Sequence, residues 1–381
     1  MEFWKQHEKS CFTTLYHFPT LTLVIRHFMN KTPPFLCTSF GKKYNGPTRL
    51  FPRSRQKLHH HDYLPLAGII RKFDFDVTDL SKMVDALSYA IDIGYRHIDT
   101  AHFYRIEPEI GEVINSKIRE GVVTRDELFV TTKVWQHFHR PADVEVSLQA
   151  SLKRLNLGYV DLVLMHWPMS ISEEGVDDKI DYLETWRGFE SVLAKGLTKA
   201  IGVSNFNVEQ LTRLLAHCKV PPAINQVEIN LNLGQSDLVN LCQAHNIVVV
   251  AYSPFGTMVP SRAAPSSPEP KLNNPTMLAI AKKHNKTVSQ VALRHLYQRG
   301  IVSIPKTVTK TRVMDNASIF DFSLDADDVA KISAFDIGYR TVRPIFWQHY
   351  SNYPFDIVEE KMDEIPLAHR KWKNGANLDM D

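Results

Sequence analysis

Residues 141–166 read PADVEVSLQASLKRLNLG–YVDLVLMH, and this stretch decides the fold. Pro141 suits the first turn of a helix. Val144, Leu148, Leu152 and Leu155 recur at helical spacing on one face, and Gly158 is expected to close the helix. The apolar, β-branched run Tyr159–Met165 follows as a strand with too few polar residues for an open face. It ends on His166, a polar residue at a strand's carboxyl end.

The same unit repeats on both sides. Upstream, Thr78 is placed to cap a helix carrying Leu80, Met83, Val84, Leu87 and Ile91 on one face. Gly94 ends it, and the strand Tyr95–Thr100 follows. Further strands read Leu128–Thr132, Lys199–Val203, Ala223–Glu228, Ile247–Tyr252 and Ile301–Ile304. Leu64–Ile70 makes an eighth, weakened by Pro65 and Gly68 within it. Eight such units in about 320 residues point to a (β/α)₈ TIM barrel. A doubly wound open sheet is the runner-up, but no G-x-G-x-x-G follows the first strand.

Bulk properties narrow the function. The 381 residues carry 45 basic and 42 acidic side chains, a formal charge of +3, which calls for neither a nucleic-acid nor a membrane partner. No apolar run approaches the roughly 18 residues that cross a bilayer. Cys11, Cys37, Cys218 and Cys242 show no paired spacing and read as free thiols in a reducing, cytoplasmic compartment. Residues 1–62 differ from the rest. They form a basic extension, with no Asp or Glu from Lys9 to His61, and read as disordered sequence, a mispredicted start or a mitochondrial targeting segment. His59, His60 and His61 lie in that stretch without fixed geometry, so no metal site is expected. The barrel is assigned to residues 63–375.

Chemistry in a barrel enzyme sits at the carboxyl ends of its strands. Those ends carry Asp99, Lys133, His166, Ser204, Asn205, Gln226, Tyr252 and Lys306, with Tyr104 in the loop after Asp99. Each alone has a structural explanation as a cap, a rim charge or a packed aromatic. Together, Asp, Lys, Tyr and His suit carbonyl reduction, with the hydride coming from a cofactor. A phenol is a weak acid, with a reference pKa of about 10. A neighbouring ammonium favours its ionised form, and Lys133 held by Asp99 would supply one. His166 would orient the carbonyl oxygen. A Ser–His–Asp hydrolase is disfavoured because no Gly-x-Ser-x-Gly elbow occurs.

These residues lie within longer motifs. Gly94-Tyr-Arg-His-Ile-Asp-Thr-Ala101, Leu157-Gly-Tyr-Val-Asp-Leu-Val-Leu-Met-His-Trp-Pro168, Gly202-Val-Ser-Asn-Phe206 and Ile304-Pro-Lys-Thr with Arg312 and Asn316 resemble the aldo-keto reductases, from about Leu64 to Phe355. The resemblance implies a catalytic tetrad of Asp99, Tyr104, Lys133 and His166. It implies that Ser204, Asn205 and Gln226 bind the nicotinamide carboxamide, that Tyr252 stacks on the ring, and that Ser253 and Phe255 lie along the pyrophosphate. Lys306, Thr307, Arg312 and Asn316 would hold the adenosine end. Two cations there favour NADPH over NADH through the 2′-phosphate. His166, in place of the Glu of relatives that reduce C=C bonds, implies C=O reduction. Phe103, Trp135 and Trp167 would wall the carbonyl, and the loops Met169–Thr185 and Arg340–Tyr353 would close the pocket. The implied substrate is a small-molecule aldehyde or ketone, with no obligate protein partner.

The likeness breaks at Leu64–Ile70, where Ile69 and Ile70 stand in place of the family's Gly-Thr. That departure is the sole support for a reading as an inert structural barrel; a cofactor-binding regulatory barrel with little turnover is the other alternative, and retention of all four tetrad residues argues against it. The segment Thr257–Lys271 reads equally as a lid over the cofactor or as a surface loop.

Overall fold

A computed structural model describes residues 80–260, 263 and 266–358. The basic extension, the Leu64–Ile70 strand and the Thr78 cap lie outside the described residues.

Apolar stripes and end residues account for the first three helices. In α1 (Leu80–Asp92), Met83, Ala86, Leu87, Ala90 and Ile91 are buried at three- and four-residue spacing. Gly94 follows with φ 109°, in the region where a Cβ is strained. The helix α2 (Glu107–Arg119) has acidic residues in its first turn and basic ones in its last, each matched to the helix dipole. Pro141 starts α3 (Pro141–Leu155) as expected, but the cap is Asn156, at φ 51°, and not Gly158. Asparagine tolerates the left-handed turn and arrives two residues earlier, which corrects the expected end. Next come α4 (Tyr182–Ala194), α5 (Val208–His217), α6 (Ser236–Ala244), α7 (Pro275–His284), α8 (Val288–Gln298), α9 (Lys310–Ala317) and α10 (Ala326–Ser333). The first turn of α4 occupies the end of the stretch 169–185 that was read as loop.

Among the described residues seven strands are interspersed with these helices: β1 (His97–Asp99), β2 (Phe129–Val134), β3 (Leu162–Met165), β4 (Ile201–Ser204), β5 (Ile224–Glu228), β6 (Val248–Tyr252) and β7 (Val302–Ser303). They pair in chain order, all parallel. Every residue of β3, β4, β5 and β6 is buried, as helices on the outside and a filled inside require. Boundaries differ from expectation by one to three residues, and Lys133 lies inside β2, one residue before its end.

The sheet is strongly curled. Four strand steps separate β1 from β5, roughly 19 Å in a flat sheet at about 4.8 Å per step. Yet Gln226 Nε2 on β5 donates to Asp99 Oδ2 on β1 over 2.8 Å. Two short side chains can meet only if the strands face each other across an interior. Among the described residues the sheet's edges are β1 and β7. No helix of the described residues is long and apolar enough to cross a membrane.

Candidate functional site

Asp99 ends β1, and its register partner on β2 is Thr131. Strand residues two apart share a face, so Lys133 stands beyond Thr131 on Asp99's side of the sheet. Both are buried, the Lys133 side chain completely. The Lys133 ammonium donates a short hydrogen bond to Asp99 Oδ1 and a second, of 2.9 Å, to the Thr100 carbonyl. Its Nζ lies 5.2 Å from the centre of the Tyr104 ring. The turn His102–Tyr104 brings that ring inward and ends at Arg105, whose φ of 52° redirects the chain into α2. His166, directly after β3, meets Tyr104 edge-on at 5.8 Å between ring centres. The expected four residues are therefore collected at one end of three adjacent strands.

The Tyr104 turn is clamped from behind. Arg154 of α3 donates to Glu107 Oε2 at 2.8 Å and to His102 Nδ1 at 2.8 Å, and Thr132 of β2 donates to Glu107 Oε1 at 2.6 Å. Burial and the Arg154 charge lower His102 to a pKa of about 4, so it stays neutral as an acceptor near neutral pH.

Asp99 accepts at both oxygens, and this orients Gln226. A carboxylate only accepts, so the Gln226 amide nitrogen must face it. That leaves Gln226 Oε1 buried with no hydrogen-bond partner among the described residues. A primary amide, which carries two N–H donors, fits that oxygen. Around it, Ser204 Oγ donates to the Gln226 carbonyl at 2.8 Å. Asn205 Nδ2 donates to the His166 carbonyl at 2.8 Å, and Tyr252 Oη donates to Asn205 Oδ1 at 2.6 Å. Asn205 and Ser253 hold φ values of 64° and 50°, a conformation that non-glycine residues adopt at a cost and that recurs at functional sites.

Lys306 and Thr307 follow β7, and Thr307 Oγ1 accepts from the Thr309 amide at 3.1 Å. On α9, Arg312 and Asn316 are four residues apart and share a face. Arg312 is exposed, and Asn316 is buried. Arg312 lies in the first turn of α9, the end of a helix whose dipole favours anions. Phe255 packs against the core beyond β6.

Aromatic rings line the other side. Phe103 stacks on Trp135 at 3.9 Å, and Trp135 meets the His166 ring at 5.1 Å. Trp167 belongs to the same aromatic cluster and packs on Trp347 at 6.0 Å and Phe355 at 5.8 Å. Trp347 also meets Trp135 at 6.1 Å, which makes it a wall residue that sequence reasoning did not single out. Its segment, Arg340–Tyr353, is one of the two loops expected to close the pocket, but no residue within it was named. The Thr257–Lys271 segment is fastened at both ends: Thr257 donates to Asn232 Oδ1 at 2.7 Å, and Asn232 Nδ2 donates to the Glu269 carbonyl at 2.6 Å. Cys218 and Cys242 are free thiols.

Residues 73–337 match the Aldo/keto reductase family. A crystal structure of the aldo-keto reductase AKR2E5 in complex with NADPH superposes with a TM-score of 0.76 at 71% identity, covering 81% of this chain and 93% of that one. AKR2E5 is from the silkworm Bombyx mori. Aldo-keto reductase AKR2E4 of Bombyx mori is 44% identical over 275 residues, 72% of this chain and 89% of its own. A Xenopus tropicalis aldo-keto reductase, family 1 member A1, is 40% identical over 284 residues, 71% of this chain and 86% of its own. The curled parallel sheet with its outer helices fits the (β/α)₈ barrel. The chain belongs to the aldo/keto reductase family.

Proposed function

We propose that the chain reduces hydrophobic aldehydes or ketones to alcohols with NADPH, with Tyr104 as the proton donor. The observation that carries this reading is the buried Lys133 ammonium. It is fixed between the Asp99 carboxylate and the Tyr104 ring, in a place where a charge is costly unless it is used or neutralised.

When bound, NADPH would supply the hydride for the carbonyl carbon. The Tyr104 hydroxyl gives its proton to the carbonyl oxygen as negative charge develops there. Lys133 offsets the charge left on the phenolate, and Asp99 holds the ammonium in place. His166 donates to the same oxygen and fixes its approach. Gln226 Oε1 suits the amide of a nicotinamide. Ser204, Asn205, Tyr252, Ser253 and Phe255 frame the remainder, and Lys306, Thr307, Arg312 and Asn316 suit a 2′-phosphate at the adenosine end. Phe103, Trp135 and Trp347 favour an apolar carbonyl substrate.

The test follows NADPH absorbance with aromatic, aliphatic and sugar carbonyls. Carbonyl-dependent NADPH loss, fastest with the apolar members, is expected. NADPH binding with no turnover on any carbonyl would overturn the reading.

A further inference from the structure

Glu228 is fully buried at the end of β5, and among the described residues its carboxylate makes no ion pair. Such a group persists only where hydrogen-bond donors replace both water and a counter-charge. Asn230 Nδ2 supplies one donor, at 3.1 Å. The others come from far along the chain. The backbone amides of Thr341 and Val342 each donate at 2.8 Å, and the Thr341 hydroxyl makes a short bond. Neighbouring contacts pin the same segment. The Asn232 carbonyl accepts from the Tyr339 amide at 2.9 Å, and Gln235 Oε1 accepts from the Arg340 guanidinium at 3.4 Å.

The anchored segment leads into the turn Ile345–Trp347. Trp347 packs on Trp135, which packs on His166. Two residues before Glu228, and on the same face of β5, Gln226 bonds to Asp99. One rigid strand therefore holds the reactive end of the site with one side chain and the aromatic wall's loop with the next.

We infer that Glu228 is a specificity-determining positioning residue. Its carboxylate sets where Trp347 stands and so how well a bulky carbonyl is held. This inference rests on the reductase reading above. Small substrates that do not reach Trp347 should be indifferent to Glu228, and this separates positioning from a purely structural role.

The test compares propanal with 2-naphthaldehyde in the full chain and in Glu228→Gln, Thr341→Val and the double variant. Glu228→Gln keeps the shape but turns an amide group toward two backbone donors. KM for 2-naphthaldehyde is expected to rise roughly tenfold, with kcat/KM for propanal and the NADPH Kd within about twofold of wild type. Thr341→Val, which retains the carboxylate and both amides, should move KM the same way by less. The double variant should be no worse than Glu228→Gln, because both act through one contact. Equal losses on both aldehydes, or additive effects, overturn the inference. Should Glu228→Gln not fold, the KM split in Thr341→Val decides. If wild type turns over neither aldehyde, the reductase reading fails separately. In that event 2-naphthaldehyde affinity, read from tryptophan fluorescence, still decides, and equal affinity in all variants overturns the inference.

Discussion

Neutralising the Asp99–Lys133 pair should separate stability from chemistry. Asp99→Asn leaves the Lys133 ammonium, fully buried, with the Thr100 carbonyl at 2.9 Å and an amide oxygen in place of a carboxylate. Removing one partner of a buried pair costs about 3–5 kcal/mol. The surviving hydrogen bonds place this case at the low end, about 3 kcal/mol, or roughly 5–10 °C in Tm. Lys133→Met strands Asp99 with Gln226 Nε2 as its remaining partner from the site and should cost a similar amount. The double variant, Asp99→Asn with Lys133→Met, removes both charges and fills the space with a side chain of like volume. Its stability should return to within about 1 kcal/mol of wild type. Turnover should not return, because no ammonium then faces Tyr104, and kcat should stay down by about 10²–10⁴ in all three variants. Thermal unfolding and NADPH oxidation on the same preparations give both quantities. A double variant that regains turnover, or single variants with unchanged Tm, would refute the reasoning.

Three further outcomes are expected. Gly111→Ala places a Cβ 2.3 Å from the Leu155 carbonyl oxygen, a backbone atom at the end of α3 that cannot step aside, and should lower unfolding stability by about 2 kcal/mol. Burial lowers His97, His102 and His295 to pKa values of about 4 and His139 to about 3, against 6.5 when unfolded. The unfolded chain therefore takes up protons first, and stability, intact above pH 6.5, should fall as pH drops from there toward 4, as denaturant titrations at several pH values would reveal. Arg312→Gln should weaken NADPH binding roughly tenfold and leave NADH binding within about twofold, measured by fluorescence titration; equal losses for both would remove Arg312 from the 2′-phosphate site.

Much of this was legible from the chain alone, for identifiable reasons. Residues 141–166 gave α3 and β3 because buried apolar side chains recur at helical spacing and then run unbroken. The end of α3 was misplaced because Asn156 takes the left-handed conformation that glycine was expected to supply. Asp99, Lys133 and His166 stood out because polar residues at nearly every strand end, each explicable alone, are together hard to explain by stability. Gln226 was found too, but not its bond to Asp99, which depends on how far the sheet curls. Trp347 and Glu228 were missed for a different reason: the contacts that define them join segments more than 100 residues apart, a separation no local period encodes. One signal was present for Glu228. It is a charged residue two places after Gln226, on the same face of a strand with no exposed position. The Arg154–Glu107 clamp was likewise invisible, since an acidic first turn and a basic last turn are what any helix favours.

The central claim is that Tyr104 donates the proton, and Tyr104→Phe tests it most directly. NADPH binding is read by fluorescence titration, and NADPH oxidation is followed with the best carbonyl substrate. The account predicts a Kd within about twofold of wild type and a loss of turnover of at least about 10². Turnover retained in Tyr104→Phe would contradict it and move the proton to another group in the site.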